Sequence, residues 1–179
     1  ARIAQAFLVP PATMGQRLVR AKRKILEAGI PFELPQENDL PQRLDAVLEA
    51  IYAAYGLGRD EVAGVDQPGP DLAEEAVWLA RVVVDRWPDE PEIRGLLALM
   101  LLTDARRTAR TTATGELVPL PEQDRSLWNT DYIAEGVTLI TEALPRATPG
   151  PYQLQAAIAA VHDQAHSADE SHWRQIKAL

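Results

Sequence analysis

Two groups of side chains have the types and the spacing to do chemistry. Near the N-terminus, Arg17, Arg20 and Lys24 recur at i, i+3 and i+7, with Thr13 and Gln16 beside them. On a helix this spacing gathers two guanidiniums and an ammonium on one face. Met14, Leu18, Ala21 and Ile25, at i, i+4, i+7 and i+11, make an apolar stripe on another face. That stripe should pack on a preceding short helix through Ile3, Ala6, Phe7 and Leu8. A short helix and a tight turn leading into a cationic helix have the geometry that enters the major groove of duplex DNA. The first turn of the second helix would meet base edges, while arginine and lysine hold phosphates.

The second group is His162, His166 and His172, spaced His-x3-His-x5-His, with Asp163 where zinc proteases carry glutamate. His162 and His166 would share a helical face, as metal chelation needs. Against a zinc-dependent hydrolase, Asp169 stands where such sites need a glycine turn, aspartate is a shorter base than glutamate, and no strand is at hand to bind a peptide. His162 is therefore read as a core-edge residue and the other two as solvated, with no metal expected. No glycine-rich phosphate loop, Ser/His/Asp set or paired catalytic carboxylates can be placed. An enzyme and a cofactor are not expected.

Other charged and aromatic clusters read as structural. Arg106, Arg107 and Arg110 close a helix, where cations suit the dipole, and should form a cluster with Asp104. In Asp124-Arg125-Ser126 before Trp128, Ser126 is expected as an N-cap, Arg125 as a buried ion-pair partner and Trp128 as core. Trp78, Trp87 and Trp173 are likewise expected in the core.

Composition bounds these readings. Hydrophobic residues make up 46% of the 179, too many for general disorder. The longest apolar run, Leu96 to Leu102, falls far short of the ~20 residues that span a bilayer. The N-terminus lacks a secretory signal pattern. The absence of cysteine excludes disulfides and thiolate chemistry and fits a reducing cytoplasm. Residues 1–30 carry six basic side chains against Glu27 alone, a net +5, whereas the remainder carries −13. A basic head on an acidic body points to a polyanion met by the head. The chain begins at alanine on the first turn of a helix and is expected to be a fragment of something longer.

The elements that must position these residues are nearly all helical by period. Helices are predicted at Arg2–Leu8, Ala12–Ala28, Leu40–Tyr55, Leu72–Trp87, Glu92 to about Arg110, Ser126–Leu144, Gly150–His166 and from His172 onward. Val9-Pro10-Pro11 ends the first and Gly29 the second. Ile30–Asn38 reads as an extended connector, Gly56–Asp71 as a glycine-rich loop closed by Asp71 as an N-cap, and Thr111–Gln123 as a small hairpin or an irregular loop. Helix pairs with proline-marked turns suggest stacked hairpins, without the 34-residue period of tetratricopeptide repeats.

The wording of the N-terminal residues carries more. Ile3-Ala4, Thr13 and Arg17-Leu18-Val19-Arg20-Ala21-Lys22 resemble the end of region four of extracytoplasmic-function sigma factors. In that family an Ile-Ala helix precedes a short turn, a threonine near the start of the next helix, and Arg-Leu-x-Arg-Ala-basic. Pro10-Pro11 here replaces the usual serine–acidic N-cap pair, and Gly15 stands where many relatives have lysine or alanine. Ala28-Gly-Ile-Pro-Phe32, Asp89-Glu-Pro-Glu92, Gly95 to Leu102, Asp104-Ala-Arg-Arg107, Gly115-Glu-Leu-Val118, Gln123-Asp-Arg-Ser126 with Trp128, and Gly150 to His162 look like the tetratricopeptide-like C-terminal extension of one subgroup. The resemblance implies an all-α fold, with part of a helix-turn-helix at 1–29, a connector with one helix at 30–70 and a helical hairpin extension at 71–179. It implies sigma-factor activity in the full-length protein, with promoter DNA and core RNA polymerase as partners and the extension regulating activity or binding a regulatory protein. Thr13, Gln16, Arg17 and Arg20 match the DNA-facing stretch, and Lys24 a phosphate contact. The alternative is a free-standing helical interaction module whose basic helix docks on acidic protein.

Overall fold

Leu96 to Leu102 is apolar on every side, and a helix of that kind must be enclosed by others. The fold is built around this requirement. A computed structural model describes residues 3–4, 7–29, 40–60, 72–146 and 148–165. Among them the α-helices are α1 (Pro11–Glu27), α2 (Leu40–Asp60), α3 (Leu72–Arg86), α4 (Pro91–Asp104), α5 (Thr130–Ala143) and α6 (Pro151–Gln164). Short 3-10 turns lie at Arg107–Ala109, Leu120–Glu122, Arg125–Leu127 and Leu144–Arg146. The fold is all-α, as expected. No helix among the described residues is long and apolar enough to cross a membrane.

Helix α4 is the central element. Pro91 sits in its first turn, and Ile93 and every residue from Gly95 to Leu102 are buried. It packs on α3, α5 and α6, while α2 packs mainly on α3. One apolar cluster joins Leu48, Ile51 and Tyr55 of α2 to Ala76, Val77 and Ala80 of α3 and to Ile93, Leu96, Leu97 and Met100 of α4. A second joins Ala98, Leu99 and Leu102 of α4 to Ile140 of α5 and four alanines of α6. Each fully buried leucine contributes about 2 kcal/mol of transfer free energy. The Tyr55 hydroxyl donates to the Met100 carbonyl at 3.0 Å, and burial pushes its pKa up to about 12. Thus α2, placed in the connector by sequence, supplies side chains to the same core as α3 and α4.

Polar contacts fix the helices against one another. Both guanidinium nitrogens of Arg81 on α3 donate to the two carboxylate oxygens of Glu135 on α5. Glu92 of α4 caps α6: its oxygens accept the Tyr152 backbone N–H at 2.7 Å and Gln153 Nε2 at 2.9 Å. Gly150 offers no side chain to do this, so a carboxylate from another helix meets the positive N-terminal pole.

Several boundaries differ from the sequence reading, each for a physical reason. Helix α2 continues through Gly56-Leu57-Gly58 to Asp60 rather than ending at Tyr55. Gly58 is needed for packing, because a Cβ there would lie 2.3 Å from the Ala73 backbone nitrogen. Helix α4 stops at Asp104, and Arg107–Ala109 forms a separate 3-10 turn. Helix α5 starts at Thr130, capped by the Asn129 side chain on the Asp131 and Tyr132 N–H groups. Ser126 is therefore not its N-cap; it donates to Asp124, which caps the preceding 3-10 turn. Around Gly115 (φ +83°) the chain makes a small hairpin with a single antiparallel bridge, Thr111 to Leu117. Trp78 is 59% exposed and not core, whereas Trp87 is half-buried and packs on the first cluster. The extended connector Ile30–Asn38, the Asp71 cap, Ala6, His166, and the helix from His172 with Trp173 lie outside the described residues.

Candidate nucleic-acid interface

Helix α1 is set up by its flanks. Leu8 takes a left-handed conformation (φ +49°), and Val9 N–H reaches back to the Ala4 carbonyl at 2.9 Å, the closure that ends a helix. Pro10 holds an extended backbone, and Pro11 opens α1, where its missing N–H costs nothing. Gly29, at φ +59°, terminates it. The apolar stripe is only partly covered. Ala4 and Met14 are buried, but Leu18 is 40% and Ile25 50% exposed, and Ile3 and Phe7 are also exposed. Among the described residues the expected packing is realised only near Ala4 and Met14.

The five polar residues singled out by sequence share one face. Thr13, Gln16, Arg17, Arg20 and Lys24 fall at i, i+3, i+4, i+7 and i+11, a stripe about 16 Å long. Thr13 is half-buried and the other four are exposed. The first turn holds no acidic residue and no side-chain cap, which leaves the positive pole of the helix open beside Thr13 and Gln16. Arg23 pairs with Glu27 at 3.7 Å on the open surface, where such a pair contributes little. Arg17, Arg20, Lys22 and Lys24 have no acidic partner among the described residues. The face can therefore act as an uncompensated cationic strip.

A second polar cluster lies where the 3-10 turns meet the end of α6. Arg125 Nη1 donates to the carbonyls of His162 (3.2 Å) and Ala165 (2.6 Å), so Arg125 caps a helix and is not the ion-pair partner expected. Its guanidinium lies 4.3 Å from the ring centroid of Trp128, which is buried as expected. Arg107 pairs with Asp104 at 2.7 Å, in keeping with the expected cluster. Arg106 instead turns inward, its Nε 3.4 Å from Asp163 Oδ1. The Asp163 side chain has no exposure, and burial pushes its pKa up to about 7 although Arg106 and Arg125 pull it down. Burial, with the same two arginines, pushes His162 below its ordinary value. The Arg106–Asp163 pair was missed by sequence reasoning. Its partners are remote in the chain, and the only signal was an aspartate at an otherwise apolar helix position. No group of three or more potential metal ligands occurs among the described residues.

Comparison with known proteins adds family membership. The chain is 43% identical over 178 residues to an uncharacterized protein of Rhizobium meliloti (strain 1021), covering 99% of this chain. It spans only 42% of that relative's length. No solved structure matches. The model of a family of unknown function, DUF6596, matches residues 43–144, from α2 through α5. That match covers more than half of the chain, and the chain belongs to the DUF6596 family.

Proposed function

We propose that this chain is the C-terminal part of an RNA polymerase sigma factor, in which α1 contacts promoter DNA and the helical body tunes that activity or binds a regulatory protein. The observation that carries the reading is the single stripe formed by Thr13, Gln16, Arg17, Arg20 and Lys24, cationic and free of acidic partners among the described residues. It belongs to a head of net +5 on a body of −13, a distribution that directs the head alone toward a polyanion. The wording of residues 3–25 supports region four as its source. In this reading 1–29 is the end of region four, 30–70 a connector and 71–179 the regulatory extension. Core RNA polymerase is the second partner, the compartment is the cytoplasm, and no catalysis is assigned.

Binding of duplex promoter DNA, followed by fluorescence anisotropy across a salt series, tests the proposal. Replacing Arg17 and Arg20 with alanine removes two phosphate-holding cations and should lower the slope of log K against log salt by about 2, at ~0.9 per contact. Unchanged affinity and slope would refute it. A second reading, a helical interaction module, draws on the exposed Trp78, Leu79 and Val82 of α3. It predicts that α1 binds an acidic peptide at least as well as DNA of equal charge.

A further inference from the structure

We infer that the outward face of α3 is a docking site for a cationic amphipathic helix of a partner protein. The inference names the chemistry of the regulatory protein assigned to the helical body. It rests on that part of the proposed function and not on any DNA contact by α1.

The buried side of α3, made by Ala73, Ala76, Val77 and Ala80, is packed in one cluster with α2 and α4. Its other side carries Trp78, Leu79 and Val82, which are 59%, 41% and 44% exposed. Val82 follows Trp78 by four residues and Leu79 by three, so the three side chains adjoin on one face. Elsewhere in the body the apolar side chains of α4 meet the faces of α3, α5 and α6. Stacked helices grow by covering one open helical face with the next helix. A grouped apolar face with a polar rim marks the place where a partner does the same.

The rim selects the partner. Glu74 and Glu75 stand one helical turn before Trp78, and Asp85 follows Val82 by three residues. All three carboxylates lie on the exposed side. Two arginines share the neighbourhood. Arg81 gives both terminal guanidinium nitrogens to Glu135 of α5, and Arg86 lies 5.8 Å from the Trp87 ring centroid. With Arg81 so neutralised, the face sets three carboxylates against Arg86 and stays acidic. Such a rim repels nucleic acid and anionic lipid, and α3 of a second copy would set carboxylate against carboxylate. An extended peptide needs a sheet edge or a cleft, whereas α3 offers a convex helix surface. A helix laid across it, ridges into grooves, covers the apolar residues and brings lysine or arginine on its flanks to the acids.

The probe is a fluorescein-labelled helical peptide of about 18 residues, with leucine at i, i+3, i+4 and i+7 spacing and lysine elsewhere. Its twin with glutamate for lysine is the control. Anisotropy with the 179-residue chain should give micromolar affinity for the lysine peptide and at least about tenfold weaker binding of the twin. Trp78→Ala, at an exposed site, should weaken the lysine peptide about tenfold with the melting temperature within error of wild type. Glu75→Lys/Asp85→Lys should weaken it at least as much and strengthen the glutamate twin. Glu116→Lys/Glu122→Lys makes the same charge change at exposed residues away from α3 and should leave both affinities unchanged. Equal affinity of the two peptides, an effect of Glu116→Lys/Glu122→Lys as large as that of the α3 pair, or full affinity in Trp78→Ala would each overturn the assignment. Sedimentation showing that the chain self-associates, and that Trp78→Ala abolishes this, would give the face to a second copy and overturn it too. Arg17→Ala/Arg20→Ala should not change peptide binding, so failure of DNA binding by α1 and failure of this site are read separately.

Discussion

Gly56 and Gly58 lie two residues apart on α2, and the same substitution at each should have opposite effects. A Cβ at Gly58 would sit 2.3 Å from the Ala73 nitrogen and 2.8 Å from the Leu72 carbonyl carbon, both backbone atoms that no rotamer change can move. Helices α2 and α3 would have to part by about 1 Å to restore ordinary contact. Overpacking of that kind costs roughly 1–3 kcal/mol, and a backbone clash belongs at the upper end. Alanine recovers about 1 kcal/mol through its better helix propensity, leaving Gly58→Ala destabilised by about 2 kcal/mol. Gly56 meets nothing within 4 Å, so Gly56→Ala keeps the propensity gain and should be stabilised by up to about 1 kcal/mol. The two variants should therefore differ by about 3 kcal/mol, or some 6–12 °C in melting temperature for a chain of this size. Urea unfolding followed by far-ultraviolet circular dichroism measures this directly. If both variants shift in the same direction, or differ by less than about 1 kcal/mol, the close crossing of α2 on α3 is wrong.

Glu92→Ala removes two charge-assisted hydrogen bonds at the start of α6 and should lower stability by about 2–4 kcal/mol, with Glu92→Gln retaining part of it; a urea midpoint within error of wild type would contradict the capping role. Asp163 sets a pH dependence. Its native pKa, about 7, lies above its ordinary 3.8, so the folded state binds more protons between those values and stability falls as pH rises from about 4 to 7. His162, pushed below its ordinary 6.5, adds the opposite slope just under that value. Asp163→Asn should remove the fall, so its midpoints at pH 5 and pH 8 should lie closer together than those of wild type. An unchanged gap would show that Asp163 does not titrate in this range. The Arg17→Ala/Arg20→Ala pair should leave urea stability within about 0.5 kcal/mol of wild type, because both side chains are exposed.

Periodicity located the α-helices that keep one exposed face, and the proline-marked turn at 88–91 located α4, which is buried all round; the reading failed where one residue type serves two purposes. Gly56 and Gly58 carried the composition of a loop, yet Gly58 is there to let α3 approach, a reason that only a neighbouring helix supplies. Ser126 and Asn129 are both good caps, and the choice fell to Asn129, whose N–H is held by the Ala105 carbonyl at 2.9 Å from the end of α4. Trp78 was placed in the core on the habits of its residue type, whereas the buried face of α3 is made by Ala73, Ala76, Val77 and Ala80. The cationic stripe was legible because it lies within one helix. The cluster of Arg106, Arg125, Trp128 and Asp163 was not, because it is assembled from two 3-10 segments and a distant helix end.

The enclosure of α4 also governs which sequences can carry this fold. Its buried residues serve both apolar clusters at once, with Leu96, Leu97 and Met100 facing one and Ala98, Leu99 and Leu102 the other. A surface helix has a face on which substitutions drift freely, but between Gly95 and Leu102 this helix has none. A saturation scan should find eight consecutive positions intolerant of charge, flanked by helices where tolerance returns every third or fourth residue. Changes that alter the exposed faces of the other helices must therefore accumulate around this rod and not within it, so that surfaces can diverge while the frame that orients them stays the same.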